Sequence, residues 1–518
     1  MDSNRTNRLR TGVLCVWWGL SFCWVILSTP LSPRADDQTA IERTSGESFH
    51  PRSLEEIKKS GYLNILTRNN ATSFFIHKGH RMGFDYELGK ALATSIGVRA
   101  RFIVPKNWND LIPALKRGEG DVIAGEMTVT PARALEVQFA EPYLTTRELI
   151  IYKKGSSAPQ TADDLSGQPV RVRTGSSYFV NLTILNARLS AQGRAPAQIQ
   201  TAPETEETED IIAKVHRGEV PFTIADELIA RPTVAFLKDL VLGPPLSEKS
   251  DLAWAVRKDE PALLKAVNDF FKKSKRSAFF NVLKKRYFER MVEFRAYARD
   301  TIGQNQHRSI SPFDRWIFEA ASKQGTDWRL LAAQIYQESQ FEPHRKSWCG
   351  AQGLLQIMPS TARELGVKNP YDPREGITAG ARYMGKLMNR FSDVMDPNER
   401  YKFALASYNC GAGHVEDARH LAKRKGWDDR VWSNVQKTML LLSHEEYHGQ
   451  TRFGYCRCGE PVGYVQEILE RYDAYRQIVA DSPPPPNEPV RKLASQGAKK
   501  TKGSRAPASL STQDSKSK

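Results

Sequence analysis

Trp328-Arg329-Leu330-Leu331-Ala332-Ala333-Gln334-Ile335-Tyr336-Gln337-Glu338-Ser339 carries the pattern that decides the fold of the second half of the chain. Trp328, Leu331, Ala332 and Ile335 fall at i, i+3, i+4 and i+7, the spacing of one apolar helix face. Glu338 follows Ile335 by three residues and extends that face. A carboxyl group there meets core or cleft rather than bulk water. Desolvation penalises its charged form, so its pKa rises and it keeps a proton near neutral pH. That is the state a general acid needs. The competing reading is a buried structural glutamate satisfied by a partner, because ion-pair networks also perturb carboxylates.

Outward from this helix, the texture stays helical from Phe313 to Val479. Asp372-Pro373-Arg374-Glu375 combines a capping side chain, a proline in the first turn and an acid at the third position. Asp396-Pro397-Asn398-Glu399 repeats the device. We therefore expect an all-α domain over residues 313–480, joined to what precedes it by a linker at 291–312. Residues 54–290 read differently. Short apolar runs, among them Leu63 to Leu66, Asp121 to Ala124, Leu149 to Tyr152, Val170 to Val172, Phe222 to Ala225 and Leu252 to Val256, alternate with helical patterns at Tyr86 to Ile96, Trp108 to Lys116, Thr208 to Arg217 and Pro261 to Lys273. Such alternation predicts an α/β domain with a mostly parallel sheet. The segment 481–518 opens on four prolines and continues in lysine, serine and alanine, too little apolar surface to fold.

The 518 residues carry a formal net charge of +16, which favours anionic partners such as nucleic acid, anionic lipid or cell-wall polymer. Nucleic acid is the least supported, since no zinc-finger spacing, RNP signature or long basic helix is present. At the N-terminus, Arg5, Arg8 and Arg10 precede an uncharged apolar run, and residues 1–35 read as an export signal, either removed or retained as an anchor. Residues 36–53 form a polar link. Export leads to an oxidising compartment, which permits disulfides among Cys349, Cys410, Cys456 and Cys458. Cys456-Arg457-Cys458 lacks the second pair that a zinc site needs, so no metal and no cofactor is expected.

Four segments stand in order in the helical part: Glu338-Ser339 with Ser347 behind it, Gly350-Ala351-Gln352-Gly353-Leu354-Leu355-Gln356-Ile357-Met358-Pro359, Ala406-Ser407-Tyr408-Asn409-Cys410-Gly411-Ala412-Gly413, and Glu460-Pro461-Val462-Gly463-Tyr464-Val465. Together they resemble the soluble-lytic-transglycosylase family, whose fold is similar to goose-type lysozyme. The resemblance implies a peptidoglycan-cleaving enzyme with Glu338 as its sole acid/base. It implies that Ser339 and Ser347 support the acid or the N-acetyl group and that Gln356 and Met358 line the cleft. Tyr408 and Asn409 would hold the reacting sugar, and Glu460 would brace the cleft floor near Tyr464. Leu355 departs from the family pattern, where methionine is usual, and Cys349 and Cys410 are additions to it. Both lie in loops that the resemblance brings to the cleft, so Cys349 and Cys410 are close enough to pair if it holds; Cys456 or Cys458 pairing with them instead, or four thiols with no cross-link, are the alternatives, and the sequence does not choose among them.

One carboxyl group suffices for this chemistry. Ordinary glycosidases pair an acid with a base or nucleophile. A lytic transglycosylase lets the C6 hydroxyl of the muramic sugar attack its own C1, an intramolecular step that needs no activated water. The competing functions are a muramidase that hydrolyses the same bond and a non-catalytic wall sensor.

In the front part, Gly83-Phe84-Asp85-Tyr86-Glu87-Leu88, Gly120 to Ala124, Met127-Thr128-Val129-Thr130-Pro131-Ala132-Arg133 and Phe139-Ala140-Glu141-Pro142-Tyr143 resemble family 3 periplasmic solute-binding proteins. That resemblance implies two lobes closing on an amino acid or muropeptide. Arg133 would clamp a carboxylate, Thr128 and Ser176 would add hydrogen bonds, and Asp226 would take an ammonium. The plainer readings are a solvated arginine and a helix-capping aspartate. The domain order is similar to that of the membrane-bound lytic murein transglycosylases, which implies a periplasmic place and a membrane association.

Overall fold

The computed structural model describes residues 49–290, 294, 298, 302, 309–480 and 482–484. The export segment, most of both links and most of the basic tail lie outside the described residues. Among the described residues, no helix is long and apolar enough to cross a membrane.

The front half is a two-lobed α/β domain, one five-stranded sheet to each lobe. The first sheet runs Arg99–Ile103, Tyr62–Leu66, Val122–Ile123, Ala255–Val256, Gln138–Phe139. The second runs Gln198–Ala202, Pro169–Arg173, Phe222–Asp226, Glu148–Lys153, Leu240–Pro245. In both, the first two pairings are parallel and the last two antiparallel. The sheets are therefore mixed rather than mostly parallel, since apolar runs fix where a strand lies but not its direction. The run Leu252 to Val256 also splits, into Ser250–Leu252 and Ala255–Val256. Trp254, fully buried at the break, donates its indole N–H to Asp85 at 2.8 Å.

Local chemistry sets the ends of these elements. Ser53 and Glu56 close a reciprocal capping box on the helix Leu54–Ser60, worth about 1 kcal/mol. The helix Thr208–Arg217 stops at Gly218, whose φ of 76° suits glycine.

From Asp314 onward the described elements are helices. Asp372 caps the helix Pro373–Arg390 by accepting from the Glu375 N–H at 2.8 Å, and Asp396 caps Pro397–Cys410 through the Asn398 N–H at 2.9 Å. Glu375 does not reach back to its cap; its carboxylate takes the N–H groups of Lys368 and Asn369 instead. Ile335, Phe403, Leu405, Val465 and Ile468 are wholly buried in one core. The last long helix, Gly459–Ile478, serves both halves of the protein. Tyr464 faces the helix Trp328–Ser339, while Tyr475 donates to the Gly79 carbonyl at 2.9 Å and Gln477 to the Phe102 carbonyl at 3.2 Å.

Candidate active site

The helix Trp328–Ser339 starts at Asp327, whose carboxylate accepts from the Arg329 N–H at 2.9 Å. It ends abruptly, because Gln340 and Phe341 both take positive φ, 55° and 62°. Non-glycine residues rarely adopt that region, so two in succession mark a turn that the surrounding packing imposes. The turn leaves Glu338 in the last helical residues, 5% exposed, at the edge of the core.

Glu338 Oε1 accepts a 2.6 Å hydrogen bond from the Tyr464 hydroxyl. Gln334, one helical turn earlier on the same face, donates to that hydroxyl oxygen at 3.4 Å. Burial pushes the Glu338 carboxyl up to about 8, with the Tyr464 bond and the Arg345 charge opposing it weakly. At neutral pH the group is therefore mostly protonated, as an acid catalyst requires. Tyr464 is bound to Oε1 and not to the other carboxyl oxygen.

Residues 345–357 wrap beside this acid. Ser347 holds a tight turn: its hydroxyl accepts from the Ala351 N–H at 2.9 Å, and its carbonyl accepts from the Gly350 N–H at 3.0 Å. Gln356 sits at a φ of 46° and ties the loop by donating from Nε2 to the carbonyls of Arg345 and Gly353, at 3.0 and 2.8 Å. Its Oε1 is buried without a partner. Met358 is the half-buried residue before the helix Pro359–Glu364. Tyr408 donates to the Leu355 carbonyl at 2.7 Å and packs edge-on against Tyr383, with 5.3 Å between ring centres. Burial raises its phenol well above the ordinary range, and the nearby Glu338 adds to the shift.

The structure thus gathers Glu338, Gln356, Tyr408 and Tyr464 in one region. Ser339 is fully buried there, but its hydroxyl goes to the Ile335 carbonyl at 3.1 Å. Asn409 is exposed on the last turn of its helix. Glu460 is not brought into the group: it lies exposed in the first turn of its helix and faces Arg457 at 3.4 Å. Gln334 and Arg345 are additions that local sequence could not single out. Gln334 looks like one more residue of the helix, and only the fold brings Tyr464 to it.

Of the open pairings, Cys349–Cys410 does not form. Cys456 pairs with Cys458, two residues away, with 5.0 Å between Cα atoms. Cys349 and Cys410 stay as thiols. Cys410 turns back on its own helix, with Sγ directed to the Ala406 carbonyl at 3.2 Å, and burial pushes the thiol up to about 12. Peptide mapping without reductant should recover Cys456 and Cys458 linked within one peptide and both other cysteines alkylated; a Cys349–Cys410 crosslinked peptide would refute this pattern.

In the front domain, Arg133 donates to the Thr128 carbonyl at 2.8 Å and, across the lobes, to the Gly175 carbonyl at 3.0 Å. Thr128 Oγ1 accepts from Ser177 at 3.5 Å, also across the lobes. Ser176 caps the helix Ser177–Ala191 through the Phe179 N–H. Asp226 stands at the N-terminus of Glu227–Phe236, yet its side chain does not cap that helix. It accepts from the Tyr178 hydroxyl at 2.9 Å, and its Oδ1 is buried without a partner. Burial pushes it up to about 7, with adjacent Glu148 adding to the rise.

Residues 63–290 match the family of bacterial extracellular solute-binding proteins, family 3, and residues 315–430 match the transglycosylase SLT domain. A membrane-bound lytic murein transglycosylase F from Desulfosudis oleivorans is 37% identical over 82% of this chain and 92% of its own length. One from Ectopseudomonas mendocina is 32% identical over 83% of this chain and 87% of its own. A structure of holo ArgBP from T. maritima is 27% identical, with a TM-score of 0.38, over 45% of this chain and 98% of that one. With an SLT helical domain behind a family 3 binding domain, and with such identity along most of its length, the chain belongs to the membrane-bound lytic murein transglycosylase F family.

Proposed function

We propose that Glu338 alone performs both proton transfers of the lytic transglycosylase reaction in this chain. The observation that carries this reading is a carboxyl group buried at the cleft, held at about 8, with one oxygen bound by Tyr464. Protonated Glu338 gives its proton to the glycosidic oxygen between N-acetylmuramic acid and N-acetylglucosamine. The bond from C1 to that oxygen breaks, and the acetamido oxygen steadies the cationic centre. Glu338, now a carboxylate, removes the C6 hydroxyl proton as O6 closes on C1. The acid is regenerated and a 1,6-anhydro end results. Among the described residues, Arg345 is the one charged group that acts on Glu338. That cation steadies the carboxylate between the two transfers. Tyr408 and Gln356 line the reacting sugar's place, and the buried free oxygen of Gln356 is a ready acceptor for a sugar hydroxyl or amide.

The front unit, residues 54–290, takes a small ligand such as an amino acid or muropeptide, and the catalytic unit spans 313–480. Residues 1–35 export the protein to the periplasm, where it works at the membrane.

The pH profile tests the acid directly. kcat/KM should fall on the alkaline side with an apparent pKa near 8, the point at which free Glu338 loses its proton. The Tyr464 bond favours the carboxylate, so Tyr464→Phe should move that limb to higher pH while lowering kcat. A limb that stays in place, or moves to lower pH, would contradict this arrangement.

A further inference from the structure

The helices Pro261–Ser274 and Ala278–Lys284 meet at a fixed corner on the first lobe. Ser277 makes that corner: its hydroxyl donates to the Ser274 carbonyl at 2.6 Å and accepts from the Phe280 N–H at 3.3 Å. Each helix sends a phenylalanine into the same core. Phe271 packs on Tyr143 with 5.4 Å between ring centres, Phe280 on Phe84 at 5.6 Å, and Tyr143 on Phe84 at 6.0 Å. With those faces buried together, the opposite faces open together on the outside of the lobe.

What they show there is apolar and cationic. Phe279 is 41% exposed and Val282 53%, three residues apart on one helix face. Lys272, Lys273, Arg276 and Lys285 flank them, all exposed. Residues 272–286 hold seven Lys and Arg side chains and no Asp or Glu. Acids stand only at the rim. Asp269 is held by Lys265 at 2.6 Å, with weaker attraction from Lys272 and Lys273. Glu289 faces Lys284 at 4.0 Å, and Arg286 acts on Glu87. Glu141 borders the patch through its N–H, which Asn268 accepts at 2.7 Å. Among the described residues, Lys272, Lys273, Arg276 and Lys285 make no ion pair and no hydrogen bond. The helix dipole favours cations at the ends of both helices and accounts for Lys272, Lys273 and Lys285. It does not account for Phe279 and Val282 left in water between them.

Exposed apolar side chains ringed by cations are the make-up of a surface that lies on a bilayer. The apolar groups enter the acyl boundary, and the cations meet the phosphates of anionic lipid. A peptidoglycan strand offers negative charge but no continuous apolar layer for Phe279 and Val282. We propose that this corner of the first lobe docks on anionic phospholipid, a contact made by the folded domain itself and separate from any made by residues 1–35. The proposal rests on the reading that the protein works at the membrane, and names the surface it turns to the lipid.

Vesicle sedimentation of the full chain tests this, with vesicles of phosphatidylcholine alone and of phosphatidylcholine mixed with phosphatidylglycerol. The native chain should partition at least about tenfold more strongly onto the anionic vesicles. Salt at about 1 M, which cuts the Debye length to about 3 Å, should remove most of that preference. A chain carrying Lys272→Gln, Lys273→Gln, Arg276→Gln and Lys285→Gln should lose it. Phe279→Ser with Val282→Ser should weaken binding to the anionic vesicles about tenfold. All six side chains are exposed, and circular dichroism checks that the variants fold. A control with Lys492→Gln, Lys499→Gln, Lys500→Gln and Lys502→Gln in the basic tail should keep the preference. Equal binding of the native chain to both vesicles, or an anionic preference that survives in the folded Lys272, Lys273, Arg276 and Lys285 variant, would overturn the docking surface and leave the membrane reading standing. A native chain that binds neither vesicle would overturn both. If that variant loses binding to purified peptidoglycan while its vesicle binding is unchanged, the surface serves the wall polymer and the lipid assignment is overturned.

Discussion

Glu338→Gln should lower turnover of purified peptidoglycan by roughly three orders of magnitude, the scale of a lost general acid/base. The amide keeps the shape and still accepts from Tyr464, but it can neither give nor take the proton. The same substitution should raise stability at alkaline pH. An ordinary glutamate, and so the unfolded chain's, titrates near 4.5, whereas the folded Glu338 titrates at about 8. Between those values the folded chain holds a proton that the unfolded chain has released. Folding stability from this residue is therefore greatest below about 4.5 and is lost progressively as pH climbs to about 8. Glutamine carries no such cost. Thermal melts should show the variant gaining on the native protein from pH 5 to pH 9. Turnover near the native rate in this variant would remove Glu338 from the chemistry. Loss of turnover together with a collapsed melt would mean a structural carboxyl group.

Gly353→Ala should nearly abolish activity and also lower stability, by at least about 2 kcal/mol. Gly353 takes a φ of 76°, and a Cβ built there would stand 1.9 Å from the Pro370 carbonyl oxygen. That neighbour is backbone and cannot swing aside. The residues from Ser347 to Ile357 would have to shift, and with them Gln356, whose amide bonds to the Gly353 carbonyl. By contrast, Gly350 has a similar φ of 90° but open space at its Cβ position. Gly350→Ala therefore carries only the backbone strain and should cost clearly less. Equal melting points for the two variants would show that the close approach to Pro370 does not govern this loop.

Much of the catalytic region is legible in the sequence because its determinants are local. The spacing of Trp328, Leu331, Ala332 and Ile335 is a property of one helix, and it locates Glu338 on the buried face. The caps at Asp372 and Asp396 are legible for the same reason, as side chains acting within a few residues. The Glu375 partner is not, because its carboxylate finds backbone N–H groups in the preceding loop rather than those of its own cap.

What cannot be read there depends on the fold as a whole. Strand direction in the two sheets is set by how segments far apart in sequence come together, so the antiparallel pairings of Ala255–Val256 and Glu148–Lys153 have no local sign. Glu460 and Tyr464 share a helix only one turn apart, yet Tyr464 turns to Glu338 while Glu460 faces outward to Arg457. The sequence left the cysteine pairing open because the family resemblance suggests that two loops meet, while the nearest thiols of all stand two residues apart. The gathering of Arg68, Arg133 and Arg173 round Trp108 leaves no trace in the sequence because the three come from separate segments. Of the front-domain ligand residues that the resemblance implies, Asp226 keeps an open oxygen, Ser176 is spent on capping, and Arg133 bridges the lobes.

The single-acid account stands or falls on what the reaction leaves behind. Purified peptidoglycan digested by the full-length protein and analysed by mass spectrometry should yield fragments ending in 1,6-anhydro-N-acetylmuramic acid, each lighter by one water than its hydrolytic counterpart. Incubation in water enriched in oxygen-18 should leave those ends unlabelled, because O6 of the sugar closes the bond. Reducing muramic ends carrying the heavy oxygen as the main product would show that water is the nucleophile, and would contradict a mechanism that needs no carboxylate beyond Glu338.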